Sequence, residues 1–159
     1  EVKLRLDANG AWEAEATLVK LRQLAPLGIE LCEQPTPDLR GLAASPVPLG
    51  ADEMVASDPE GALDRAQCIV LKPMLLGGIS RAWELAQKAH HRGRSVIVTS
   101  SLEGAVGRAG AAHLAAAVLA LGPHPAAGIA TGRLFGEVDP LAPEAGVVRI
   151  PESPGLGLP

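Results

Sequence analysis

Polar residues end four short apolar runs along this chain. The runs VKLRLD, IELCE, VPLGAD and IVLK close on Asp7, Glu33, Asp52 and Lys72. The steps from each of these positions to the next are 26, 19 and 20 residues, which is enough for one helix and one strand. Strands buried on both faces read as continuous apolar runs, so a charged side chain is tolerated only where the strand ends. The pattern therefore predicts repeated strand-helix units that bring the four side chains to one rim of a parallel sheet.

The same pattern predicts the individual elements. Strands are expected near residues 2–6, 28–32, 47–51, 68–71 and 94–98, with a weaker sixth near 127–130. Helices are expected over 13–24, from just after Ser57 as N-cap, over 80–91 and, longest of all, over 106–121. Within 80–91, helical spacing indicates one face marked by Trp83, Ala86 and His90.

Alternating strands and helices fit either a doubly wound sheet or a (β/α)₈ barrel of the TIM type. The barrel is favoured because it brings every strand end to one mouth, whereas an open sheet binds ligands at one switch point. A complete barrel takes about 250 residues and eight strands. With 159 residues and about six strands, we expect the C-terminal part of a larger, incomplete barrel over 1–136. An irregular segment packed on it is expected over 137–159, which holds five prolines.

Composition narrows the class of protein. Hydrophobic residues make up 47% of the chain, enough for a globular core. The net charge is −4 and basic residues are scattered singly, so neither nucleic acid nor an anionic membrane is an expected partner. No apolar stretch reaches the roughly 18 residues of a membrane span, and no secretory signal is evident, so the cytoplasm is the expected compartment. Cys32 and Cys68 form no ligand-spaced pair and are predicted to be buried free thiols.

The three acidic strand ends predict a metal site. Asp7, Glu33 and Asp52 would repel one another on a common rim unless a cation lay among them. Oxygen ligands without Cys or His favour a hard ion such as Mg²⁺. Lys72 would face that ion from the next strand. The alternative is that the acidic residues cap helices or pair with arginines on the surface.

Five motifs occur in order: DANGAW (7–12), EQP (33–35), GADE (50–53), LKPMLLGGI (71–79) and TSSLEGAVGRAG (99–110). Together they resemble the enolase superfamily, in its muconate-lactonizing-like subgroup, and are most similar to the o-succinylbenzoate synthase family. The resemblance implies that Asp7, Glu33 and Asp52 are the Mg²⁺ ligands, with Mn²⁺ as a substitute. It also implies that Lys72 is catalytic and faces a second lysine, in a Lys-x-Lys motif, that lies before residue 1. Lys3 and Arg5 only imitate that motif.

The resemblance also suggests how a small carboxylate substrate binds. Ser100 and Ser101 match the family segment that contacts the substrate carboxylate, although both serines also suit N-capping of the next helix. Asn9 is expected to be a polar neighbour of the metal or substrate, or else a turn residue. Gly77 and Gly78 let backbone approach a ligand or form a turn, and the turn is slightly favoured.

The implied reaction is Mg²⁺-dependent dehydration of 2-succinyl-6-hydroxy-2,4-cyclohexadiene-1-carboxylate to o-succinylbenzoate, in menaquinone biosynthesis, through a metal-stabilised enolate. An N-acylamino acid racemase or dipeptide epimerase would use the same metal site and is the first alternative. A catalytically silent barrel fragment is the alternative of another class. The family's N-terminal capping domain, which contributes to specificity, lies outside these residues.

Overall fold

The computed structural model describes residues 3–135 and 140–158. Its five strands follow the sheet order β1-β2-β3-β4-β5. The strands are β1 (Leu4–Asp7), β2 (Ile29–Glu33), β3 (Leu49–Ala51), β4 (Cys68–Leu71) and β5 (Ser95–Val98). The α-helices are α1 (Ala14–Leu24), α2 (Glu53–Ser57), α3 (Pro59–Arg65), α4 (Ile79–His91) and α5 (Ala105–Leu119). Short 3₁₀ turns cover Ala25–Leu27 and Gly132–Phe135.

The five main strands are confirmed, but the sixth is wrong. In its place the described residues form a single parallel bridge between Thr99 and Gly128. Gly128 donates its N–H to the Val98 carbonyl at 2.9 Å and accepts from the Ser100 N–H at 3.0 Å. Pro123 and Pro125 lie just before this stretch, and proline has no N–H to extend a ladder. The ladder therefore does not extend back from Gly128 through these prolines.

The chain divides into two compact units, Glu1–Val70 with His91–Ser95, and Leu71–His90 with Val96–Pro159. In the first unit, β1 to β4 pair in parallel: Asp7 lies opposite Glu33, Glu33 opposite Gly50, and Gly50 opposite Cys68. Neighbouring carboxyl ends therefore fall along one edge of the sheet. The largest fully buried side chains of this unit include Leu21, Leu42, Leu63 and Ile69.

Alanines make up most of the buried face of α4 in the second unit. The buried face of α4 carries Ala82, Leu85, Ala86 and Ala89. The predicted face is therefore wrong at Trp83, which is half-buried, and at His90, which is exposed. Alanines along α4 satisfy burial without large side chains, so Trp83 and His90 did not identify its inner face.

Residues 140–158 contain no helix or strand and pack through apolar side chains. Leu141 is 5% exposed and lies against Ala109 and Ala112 of α5. Partly buried neighbours complete the cluster: Ile129, Val148, Ile150, Leu156 and Leu158. The predicted boundary at Glu137, the terminal Pro159 and the start of the first predicted strand at Val2 lie outside the described residues.

One predicted helix start is wrong by one residue. Ser57 ends α2, and Asp58 is the N-cap of α3, where its carboxylate accepts the Gly61 N–H at 2.9 Å. That bond, followed by the nearby Arg65, lowers the pKa of Asp58. An aspartate directly before a proline at the first helical position satisfies the free N–H groups better than a serine one residue earlier.

Both cysteines are buried free thiols, as predicted. In the described part of the chain, no helix is both long and apolar enough to cross a membrane.

Candidate active site

Two of the predicted metal ligands lie side by side. Asp7 and Glu33 are register partners at the carboxyl ends of β1 and β2. The Glu33 carbonyl accepts the Ala8 N–H at 3.2 Å, which ties the residue after β1 to the end of β2. Burial raises the pKa of the Cys32 thiol to about 11, and the negative charges of Asp7 and Glu33 add to that effect. The negative charges of both carboxylates therefore act on the same thiol, that of Cys32.

Asp52 follows β3, one strand further along the same edge. It lies two residues after Gly50, the register partner of Glu33, and is 7% exposed. Although Asp52 is the N-cap residue of α2, its side chain makes no capping hydrogen bond. The helix-capping alternative is therefore wrong for this residue.

Gln34 links the three strand ends. It is fully buried, and its backbone has a left-handed φ of 35°. Its side-chain oxygen accepts the Asp52 N–H at 2.8 Å, and its backbone N–H donates to the Gly50 carbonyl at 2.9 Å. The Gly10 N–H in turn donates to the Gln34 carbonyl at 2.6 Å. One residue thus contacts the loop after β1 and the end of β3.

The three acidic residues fit Mg²⁺ in donor chemistry and in register, because they offer only oxygen atoms from neighbouring strand ends. Within residues 3–135 and 140–158, however, no three His, Cys, Asp or Glu side chains are gathered closely enough to hold an ion. An ion would have to draw the carboxylates together. Asp7, Glu33 and Asp52 are the residues that would hold it.

Asn9 occupies a turn. Its φ is 47°, it is exposed, and its backbone N–H donates to Asp7 Oδ1 at 2.9 Å. This is the turn geometry that aspartate commonly forms with the residue two positions later. The turn interpretation is confirmed, and a contact between Asn9 and substrate stays a prediction.

Lys3 and Arg5 are ion-paired with one carboxylate. Lys3 Nζ lies 3.0 Å from Glu30 Oε1, and Arg5 Nε lies 2.7 Å from Glu30 Oε2. The hydrogen bond from Arg5, followed by that from Lys3, lowers the pKa of Glu30. Lys3 and Arg5 therefore form a cross-strand ion-pair cluster with Glu30, although their spacing resembles a Lys-x-Lys pair.

In the second unit, Lys72 directly follows β4 and is half-buried. The Thr99 N–H donates to the Leu71 carbonyl at 3.0 Å, so Lys72 and Ser100 each follow one member of a bonded pair. The two predicted site residues therefore lie at neighbouring strand ends.

Gly77 and Gly78 form a turn after Lys72. Their φ angles are +88° and +117°, and the Gly78 N–H donates to the Pro73 carbonyl at 2.8 Å. These φ values suit glycine, so the turn interpretation is confirmed.

The two serines after β5 are hydrogen-bonded within their own unit. Ser100 is 8% exposed, and its hydroxyl lies 2.8 Å from the Thr131 hydroxyl. The Ser101 N–H and hydroxyl both donate to Glu103 Oε2. The N-cap of α5 is Gly104, with no side-chain bond, so the capping interpretation of both serines is wrong. The loop instead turns its donors toward the buried carboxylate of Glu103.

Comparisons with known proteins find related sequences and related structures. Residues 1–159 match the family model described as enolase C-terminal domain-like. The chain belongs to this family. It is 38% identical to o-succinylbenzoate synthase of Thermobifida fusca (strain YX), covering 93% of this chain and 49% of the relative. It is 40% identical to L-Ala-D/L-Glu epimerase of Bacillus subtilis (strain 168), covering 72% of this chain and 35% of the relative.

Muconate lactonizing enzyme from Pseudomonas fluorescens, solved with muconolactone, is similar in structure. The TM-score is 0.83 at 26% identity, covering 99% of this chain and 46% of the solved one. This chain therefore spans about half, or less, of the length of these three relatives. Membership in the enolase superfamily and the TIM-barrel type of α/β fold, incomplete as expected, are thus confirmed.

The sequence patterns gave no role to three polar residues near the candidate site residues: Gln34 in the first unit, and Glu103 and Thr131 in the second. Gln34 and Glu103 lie within two residues of a predicted site position, whereas Thr131 lies 30 residues after Ser101. Gln34 directly follows Glu33, and a polar residue next to a buried strand end could have indicated a role at the site. Glu103 and Thr131 give no comparable signal, because their partners are set by loop conformation.

Proposed function

We propose that the protein containing this chain is a Mg²⁺-dependent lyase. It dehydrates 2-succinyl-6-hydroxy-2,4-cyclohexadiene-1-carboxylate to o-succinylbenzoate, for menaquinone biosynthesis in the cytoplasm. The observation that carries the proposal is the placement of Asp7, Glu33 and Asp52 at the ends of three adjacent strands. Several relatives at 32% to 39% identity, named o-succinylbenzoate synthase, support the choice of reaction.

Different residues would carry out different parts of the reaction. Mg²⁺ held by the three carboxylates would stabilise the negative charge that develops when the proton α to a carboxylate leaves. Lys72 would assist as acid or base, so that the departing hydroxyl group leaves as water. Asn9, Ser100 and Ser101 are proposed to contact the substrate. For Ser101 this requires its N–H and hydroxyl to exchange Glu103 for the substrate carboxylate.

The reaction can be followed by the absorbance of the aromatic product. Activity should require Mg²⁺ and disappear with a chelator. Glu33→Gln should lower kcat/KM by roughly a hundredfold or more, because it removes one charged ligand. Glu15→Gln, on the exposed face of α1, is the matched control and should retain activity. Full activity in a chelator would contradict the metal-dependent mechanism.

An epimerase or N-acylamino acid racemase is the second candidate, supported by the 40% identity to the Bacillus subtilis epimerase. Both reactions begin with removal of an α proton. Incubation with dipeptides and N-acylamino acids in deuterated water separates them. Exchange with inversion, without dehydration of the cyclohexadiene substrate, would reject the lyase.

A silent fragment is the third candidate. The chain spans 49% of the Thermobifida relative, and we expect no turnover from these 159 residues alone. Ordinary turnover by the purified 159-residue chain would overturn that expectation.

A further inference from the structure

Gln34 is hydrogen-bonded to residues at or near the ends of β1 and β3 and directly follows the end of β2. We propose that Gln34 is a positioning residue that holds the three carboxylate-bearing strand ends at fixed mutual spacing and thereby sets the affinity of the Mg²⁺ site. The inference rests on the proposed function, because it assigns Gln34 to the metal site proposed there.

The side chain of Gln34 has a partner on both sides of its amide. Oε1 accepts the N–H of Asp52 at 2.8 Å and that of Met54 at 3.4 Å. Nε2 donates to the carbonyls of Thr36 at 2.8 Å and Pro37 at 3.1 Å. The residue is 0% exposed, so no water replaces these bonds if the amide is removed. The amide is therefore fixed in position and in orientation.

These bonds explain why Asp52 does not cap its own helix. An aspartate at an N-cap usually accepts the N–H of the second or third helical residue. Met54 is the second residue of α2, and its N–H is directed to Gln34 instead. Gln34, which directly follows β2, thus caps α2 in place of the Asp52 side chain.

The backbone of Gln34 extends the same link to β1 and β3. The Gly10 N–H donates to its carbonyl, and its own N–H donates to the Gly50 carbonyl. Gln34, which follows Glu33, is therefore bonded to Gly10, three positions after Asp7, and to Gly50, two positions before Asp52. A change at Gln34 moves all three ligands relative to one another.

The test is titration of the purified protein with MgCl₂ by calorimetry. Gln34→Met keeps the length of the side chain and removes the amide. We expect the Mg²⁺ dissociation constant to rise roughly 10- to 100-fold, the usual effect of removing a residue that orients metal ligands. Amide exchange at Asp52 and Met54 in the metal-free protein should also become faster.

Gln67→Met is the matched control. The Gln67 side chain accepts the Leu49 N–H at 2.9 Å, so it holds the opposite, amino end of the same strand β3. This variant should lose stability, with the Mg²⁺ dissociation constant within about twofold of the unchanged protein. An equal rise in both variants would make the effect merely structural and overturn the proposal.

The remaining outcomes are also decisive. Unchanged Mg²⁺ affinity in folded Gln34→Met would overturn the positioning role and leave the proposed function standing. If the unchanged protein binds no Mg²⁺, the proposed function fails and the inference fails with it. Should Gln34→Met not fold, Gln34→Asn, one methylene shorter, replaces it with the same expected loss of affinity.

Discussion

Removing the charge of Asp7 should change stability in opposite directions with and without Mg²⁺. Asp7→Asn is a clean perturbation, because the asparagine oxygen can still accept the Asn9 N–H that Asp7 Oδ1 accepts at 2.9 Å. The turn after β1 is therefore kept and only the negative charge is lost. Its register partner Glu33 then faces a neutral amide.

The magnitude follows from the spacing of the strands. Neighbouring strands lie about 5 Å apart, and two unit charges at that distance repel by about 0.8 kcal/mol in water. Asp7 is exposed, so the aqueous value applies, reduced somewhat by salt. The metal-free variant should be more stable by about 0.5 kcal/mol. Mg²⁺ at about 100 times its dissociation constant should stabilise the unchanged protein by about 2.7 kcal/mol, and the variant by much less.

Urea unfolding in a chelator and in excess MgCl₂ measures both effects. Asp38→Asn is the control, because Asp38 accepts the N–H of Arg40, two residues later, in the same way. It should leave the stabilisation by Mg²⁺ unchanged. A loss of metal-free stability in Asp7→Asn, or full stabilisation of that variant by Mg²⁺, would refute the idea that Asp7 and Glu33 share a cation.

Three further outcomes are expected. Burial lowers the pKa of His124, and its Nδ1 accepts the Val96 N–H in β5. The unfolded chain therefore binds the proton more tightly than the folded protein. As a result, the free energy of unfolding should fall as pH drops below about 6.5. His124→Asn should flatten that dependence in urea titrations. Cys32 and Cys68, with pKa values raised to about 11, should resist alkylation at pH 8 until the protein is unfolded, as a thiol assay would show. Leu141→Ala should cost about 2 kcal/mol in urea unfolding, against under about 0.5 for the exposed Val147→Ala.

The sequence predicted the main elements well where burial is continuous. β4 occupies the predicted positions 68–71, since its four residues are all buried and polar residues flank them. The helix predicted over 80–91 is found as Ile79–His91. Short elements were missed because they depend on distant partners. α2 has five residues, too few for a periodic pattern, and its Met54 N–H bonds to Gln34 twenty positions earlier.

In the candidate site, too, some residues could be placed from the sequence and others could not. Asp7 and Glu33 could be placed at neighbouring strand ends because each closes an apolar run, and the register confirms that placement. The partners of Ser101 could not be predicted, because both its donors turn to Glu103 through a loop conformation that no periodicity encodes. Residues at strand ends are therefore predictable from one sequence, whereas the hydrogen bonds of the loops between them are not.

The energetics of the rim favour a functional explanation for its acidic residues. Like charges in register on adjacent strands destabilise a sheet. Here Asp7 and Glu33 are in register, and Asp52 is 7% exposed and does not cap its helix. Both polar atoms of the buried Gln34 amide are hydrogen-bonded, and one of these bonds holds the Asp52 N–H after β3. A cation held by all three carboxylates, as proposed above, would offset the repulsion between Asp7 and Glu33.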